Sequence, residues 1–136
     1  MEHVIQASVV EAGTSKFFNS VDTEGHQFVM DEPEAMGGTD LGPSPFALVT
    51  SALGACTNIT LRMYADMKGM AVDQLETVVI HTPSKTGHHF QRTITIQGNL
   101  TSDERARLLA IANKCPVHRL LEGEAIVETL LAEEAF

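Results

Sequence analysis

The pattern of apolar and polar positions changes at residue 45. Before it, short stretches rich in β-branched and aromatic residues, 4–10, 16–21 and 26–30, read as three strands. Ala12-Gly13-Thr14 and Asp22-Thr23-Glu24-Gly25 supply the turns between them, and residues 31–42, rich in Asp, Glu and Gly, carry loop chemistry throughout. Ser44-Pro45 then fits an N-cap followed by Pro at the first helical position, where its missing N–H costs nothing. The helix this predicts runs to about Lys68, with Gly69 as its stop.

From Phe46 to Leu61 that helix carries no charge on any face; Arg62, Asp66 and Lys68 appear only in its last turns. A solvated helix shows at least one polar face, and a chain of this size has few elements with which to surround an apolar rod. The expectation is a homodimer with this helix inside. Beyond it, 75–82 and 89–100 predict a strand pair turned at 83–87. In the second strand Phe90, Arg92, Ile94 and Ile96 point one way, and Gln91, Thr93, Thr95 and Gln97 the other. Thr101 and Glu104, three apart, form a capping box that opens a helix with the apolar stripe Leu108, Leu109, Ile111 and Ala112. Pro116 ends or kinks that helix, and a short turn follows to Leu121. Residues 124–130 are a last strand candidate, and 124–135 read equally well as continuing helix. The order β-β-β-α-β-β-α-β predicts an α+β fold and not a doubly wound parallel sheet.

Composition narrows the class. A length of 136 residues suits one domain, 1–136, and 43% hydrophobic residues exclude a disordered chain. A formal charge of −9 repels phosphate backbones and anionic headgroups, so neither nucleic acid nor membrane is expected as a partner. Met1-Glu2-His3 lacks the basic start of a signal peptide. As a helix, residues 46–61 would span about 24 Å at ~1.5 Å per residue, short of a ~30 Å hydrocarbon core. Two cysteines, Cys56 and Cys115, cannot build a secreted disulfide scaffold, which makes a reducing cytoplasm the expected location.

Those cysteines are the chief candidates for chemistry. Cys56 lies mid-helix beside Gly54, Ala55 and Thr57, small residues that leave room to reach the sulfur. Cys115 directly precedes Pro116; if Pro116 opens a new helical turn, Cys115 is its N-cap and feels the positive end of the dipole. Lys114, His118 and Arg119 add positive charge, so local physics alone makes Cys115 the thiolate. No Cys or His pair has the spacing of a zinc site; Cys115 and His118 are an i, i+3 pair, and His118 otherwise reads as a surface helix residue. Gly37-Gly38-Thr39-Asp40-Leu41-Gly42 lacks the Lys-Ser/Thr of a P-loop and the G-x-G-x-x-G of a dinucleotide turn. No metal and no cofactor is expected. Asp31 and Glu32 read as a solvated acidic turn.

Gly42-Pro43-Ser44-Pro45, Ala52-Leu53-Gly54-Ala55-Cys56-Thr57 and Cys115-Pro116-Val117-His118 together resemble the OsmC/Ohr family. Asp31-Glu32-Pro33 and Gly37-Gly38 resemble its OsmC-like branch, and the likeness runs from about His26 to Leu121. The resemblance implies an OsmC-like fold: an intertwined homodimer with two long central helices packed against curved antiparallel sheets. It implies a thiol-dependent peroxidase acting on organic hydroperoxides and hydrogen peroxide, with Cys56 the peroxidatic residue, oxidised to a sulfenic acid. Cys115 would resolve it as a Cys56–Cys115 disulfide, later reduced by a small dithiol or a lipoyl protein. This order reverses the one read from local physics. The family's activating pair, an Arg from the N-terminal sheet region and a Glu early in the central helix, is unmatched: no Arg precedes Arg62, and Phe46-Ala47 stand where the Glu falls. His26, Glu32, His118, and Arg62 from the other subunit are the candidates to support the thiolate instead. The alternative function is a non-enzymatic small-ligand-binding or redox-sensing protein using the same dimer groove.

Overall fold

A computed structural model describes residues 3–13 and 15–132; Met1, Glu2, Thr14 at the end of the first predicted turn, and residues 133–136 lie outside the described residues. The chain divides into two compact units, Met1–Ser51 and Ala52–Phe136.

The first unit is built on an antiparallel sheet of β1 (Ala7–Glu11), β2 (Asn19–Thr23) and β3 (His26–Met30) in that order. Val9 pairs with Val21 and Val21 with Phe28, which puts an apolar row across the sheet with Val21 buried at its centre. Glu24 and Gly25 both take positive φ, the two-residue hairpin turn whose twist matches the strands it joins. That turn explains why β1 is shorter than residues 4–10: its partner ends at Thr23, opposite Ala7, so residues 4–6 have no ladder to join. At the other end pairing stops at Glu11 opposite Asn19, so β2 begins three residues later than expected.

Asp31, which opens the segment after β3, is not part of a solvated acidic turn, although most of the residues after it are exposed. Asp31 is 1% exposed and gathers the loop around its carboxylate. It accepts from Glu32 N (2.7 Å), Thr39 Oγ1 (2.6 Å), Thr39 N (3.3 Å) and Leu41 N (3.2 Å), and its own N–H donates to Pro43 O (3.2 Å). The Thr39 hydroxyl, helped by the three backbone N–H groups, holds the Asp31 carboxyl below its ordinary value against the opposing effect of burial. Gly38 is required here, because a Cβ would come 2.0 Å from Glu32 O. A 3₁₀ turn, Glu34–Met36, lies within this loop.

Helix α1 (Pro45–Lys68) has the limits that Pro45 and Gly69 predict. In the second unit it is followed by the hairpin of β4 (Val72–Ser84) and β5 (Gly87–Gly98), then α2 (Ser102–Ala112) and α3 (Pro116–Glu122). The hairpin loop is only Lys85-Thr86, tighter than 83–87. Pro83 sits within β4 opposite His88, since in a two-stranded sheet each strand has an unladdered edge that tolerates a missing N–H. Phe90, Arg92, Ile94 and Ile96 are the less exposed set on β5, as the alternation requires. The core joins Leu61 and Ala65 of α1, Val72 of β4, and Leu108, Ile111 and Ala112 of α2. Gly54 faces β4, and a Cβ added there would meet Thr77 O at 3.6 Å, an ordinary contact. Thr101 caps α2 as predicted, accepting from Glu104 N (3.1 Å) while Glu104 Oε1 accepts from Thr101 N (2.9 Å). Residues 124–132 are neither strand nor helix, which corrects both readings over the described part. A strand needs a ladder partner, and these residues pair with none among the described residues, leaving Ile126, Val127, Leu130 and Leu131 exposed. The described fold is thus mixed α+β, three α-helices with antiparallel sheets.

Candidate dithiol site

Two thiols meet in the second unit. Cys56 comes from the middle of α1, and Cys115 is the N-cap of α3, at φ −57° and ψ 128°, with Pro116 beginning the helix. The Cys-Pro pair dictates this locally: Pro excludes helical backbone from the residue before it and is itself preset for a first helical turn. Across 58 intervening residues the two side chains come into hydrogen-bonding contact, both as free thiols. Cys115 is fully buried and Cys56 half-buried, so the open approach leads to Cys56.

Their environments pull the two thiols apart. Burial pushes the Cys56 thiol up, and its hydrogen bond to Cys115 and the charge there push it further; the Val117 N–H and the Thr60 side chain offset this only in part. Burial also opposes ionisation of Cys115. There, hydrogen bonds from the Cys56 thiol, the backbone N–H groups of His118 and Val117, and the Thr57 side chain outweigh it, and the thiol is held below its ordinary value. These surroundings favour the first negative charge of the pair on Cys115, which accepts the Cys56 S–H.

The residue that sequence reasoning missed is Arg92. From the inward stripe of β5 its NH1 donates to Thr57 Oγ1 (3.1 Å), and its NH2 contacts Asn113 Oδ1 (3.2 Å) and His118 Nδ1 (3.0 Å). A signal was present: Arg92 is the one charged residue in the stripe Phe90, Arg92, Ile94, Ile96, and a cation on a core-facing stripe must find acceptors there. His118 is not a surface residue; its side chain is 18% exposed, and its Nε2 lies 2.9 Å from Glu122 Oε1. Arg62 is not brought to the cysteines of its own chain. It donates to Val72 O (2.8 Å) and lies 3.9 Å from Asp66. His26 is exposed on β3, opposite Thr23, and Glu32 lies in the Asp31 loop; both belong to the first unit. Among the described residues no three His, Cys, Asp or Glu side chains gather as metal ligands, and no helix is long and apolar enough to cross a membrane.

Fold and site together define an α+β protein with a paired-thiol centre between a long helix and a Cys-Pro helix start. The chain belongs to the OsmC-like protein family, whose model matches residues 37–130. It is similar to the crystal structure of an OsmC-like protein from Mycoplasma pneumoniae, at 20% identity and a TM-score of 0.77, with 90% of each chain covered. It is also similar to an organic hydroperoxide resistance protein OsmC from Legionella pneumophila (19% identity, TM-score 0.67, 89% of this chain and 90% of that one). The organic hydroperoxide resistance protein OhrB of Bacillus subtilis matches at 18% identity and a TM-score of 0.61, over 89% of this chain and 92% of its own. At these identities the likeness is one of fold. No curated protein sequence matches the chain.

Proposed function

We propose that the protein is a thiol-dependent hydroperoxide reductase in which Cys56 is the peroxidatic and Cys115 the resolving residue. The observation that carries this reading is the thiol–thiol hydrogen bond across α1 and the α3 N-cap, with one thiol half-buried and the other fully buried and more acidic. The hydroperoxide-resistance names of the Legionella and Bacillus proteins support the substrate class. Cys115 thiolate takes the Cys56 proton through the existing hydrogen bond, and Cys56 becomes the nucleophile. Its sulfur attacks the terminal oxygen of R–O–OH; the O–O bond breaks, leaving Cys56–SOH and an alkoxide that takes the proton back from Cys115. Cys115 thiolate then attacks the Cys56 sulfur and expels hydroxide, forming the disulfide. An external dithiol or lipoyl protein of the cytoplasm restores both thiols by exchange.

The catalytic form is taken to be a homodimer of one-domain chains. Ile59, Met63 and Met67 lie four apart along α1 and are each more than half exposed, an apolar stripe that a second copy would cover. The test is a thiol count before and after one equivalent of cumene hydroperoxide. Loss of two thiols per chain, with one cumyl alcohol formed, is expected; unchanged thiols overturn the reductase and favour the ligand-binding alternative. In Cys115→Ser a dimedone-reactive Cys56 should accumulate, whereas a trapped Cys115 in Cys56→Ser would exchange the two roles.

A further inference from the structure

We infer that Arg92 is the positioning residue that anchors the negative charge of the dithiol, acting on Cys115 through the Thr57 hydroxyl and the His118 turn. The inference rests on reading Cys56 and Cys115 as a reactive pair and supplies what that pair lacks by sequence: no Arg precedes Arg62.

Three features of the geometry carry it. First, Arg92 is only partly exposed, and among the described residues no carboxylate lies within ion-pair distance of it. Its partners are a hydroxyl, an amide oxygen and an imidazole nitrogen, none of them a carboxylate. A half-buried guanidinium without a counter-ion favours an anion nearby, and the ionised dithiol is the anion at hand.

Second, the guanidinium can only donate, so each contact fixes the direction of the next bond. At Thr57 the Arg92 NH1 occupies an oxygen lone pair, leaving the hydroxyl proton to go outward, either to Leu53 O at 2.7 Å or to the Cys115 sulfur. Thr57 is fully buried, so water does not compete for that proton. When Cys115 ionises, the hydroxyl turns to it with its oxygen polarised by the cation behind. At His118 the Nδ1 must accept from Arg92, so the ring proton lies on Nε2 and is donated to Glu122 Oε1. This fixes the side chain whose own backbone N–H donates to Cys115.

Third, the three contacts reach every segment that carries the site: Thr57 beside Cys56 on α1, Asn113 at the end of α2, and His118 on α3. One residue of β5 thus sets the relative placement of both sulfurs. The titratable groups of this network are Cys56 from α1, Cys115, His118 and Glu122 from the α3 segment, and Arg92 from β5.

The test uses the full-length reduced protein without peroxide and follows thiolate ultraviolet absorbance against pH. Arg92→Gln should move the first thiol titration upward, leaving about 10-fold less thiolate at any pH below it, the loss expected for one charge-assisted hydrogen bond. Thr57→Val should move it the same way because the relay passes through that hydroxyl. Arg92→Lys, which keeps the charge but not the fork, should fall between wild type and Arg92→Gln. A folded Arg92→Gln that titrates like wild type, a Thr57→Val that leaves the titration unmoved, or an Arg92→Lys no better than Arg92→Gln overturns the inference. Should Arg92→Gln fail to fold, the Lys and Val variants decide it. A wild type that ignores hydroperoxide while Arg92→Gln shifts the titration would sink the reductase and keep the anchor; the converse would do the reverse.

Discussion

Deleting either sulfur should move the other in opposite directions. Cys115 is held down chiefly by the bond it accepts from Cys56, so Cys56→Ala should raise its titration. One hydrogen bond to an anion contributes about 1.5–3 kcal/mol, which is about one to two pH units. Cys56 is pushed up by burial and then by the Cys115 bond and charge, so Cys115→Ala should lower it. Two unit charges about 4 Å apart repel by about 1 kcal/mol in water and about 4 kcal/mol at an effective dielectric near 20. For a half-buried thiol the fall should lie between, at about one to two units. Each single-cysteine variant has one thiol, so thiolate absorbance assigns the titration without ambiguity. In wild type the same experiment should show two separated steps belonging to the pair. If both variants shift the same way, or neither moves from its wild-type step, the sulfurs do not share a proton and the proposed activation of Cys56 by Cys115 fails.

The core makes a simpler demand. Leu108 is fully buried against Leu61, Ala65 and Ile111, so Leu108→Ala should destabilise the protein by about 2–5 kcal/mol, measured by urea unfolding, whereas a loss under about 1 kcal/mol would deny that this cluster is the core. Asp31 is held below its ordinary value in the fold, so its contribution to stability is complete above the unfolded carboxyl range and is lost as pH falls through the folded value. Asp31→Asn should therefore lower Tm near neutrality and flatten the fall of Tm below about pH 4; a steeper fall in the variant would contradict the loop description.

What could be read from the residues depended on how local the cause was. Helix α1 was legible at both ends because Pro45 and Gly69 act within one turn, and the capping box because Thr101 and Glu104 are three apart. The backbone at Cys115 followed from the proline after it. The meeting of the two cysteines came from the likeness of motifs, since nothing local joins position 56 to 115. Residues 124–130 have strand-forming composition, yet a strand exists only against a partner that composition does not name. Asp31 looked like a surface acid because its donors, Thr39 and Leu41, lie eight and ten residues away. Arg92 was passed over although it puts a charge on an apolar stripe, because its acceptors come from three other segments, at Thr57, Asn113 and His118.

The long separation of the paired thiols also bears on how the protein would fare when its surroundings turn oxidising. A covalent link between Cys56 and Cys115 would close a loop of about 60 residues, and in the chain-entropy picture that removes about 4 kcal/mol of freedom from the unfolded chain. Heat or denaturant would then find the oxidised protein harder to open than the reduced one, although the native contacts need change little. The same linkage runs backwards: the folded chain would hold its disulfide against reduction by about 90 mV more than the unfolded chain does. A reductant that recycles the pair must therefore be chosen for its reach to the half-buried Cys56 sulfur as much as for its potential. Exposure to peroxide would leave behind, until that reductant arrives, a sturdier molecule than the one it met.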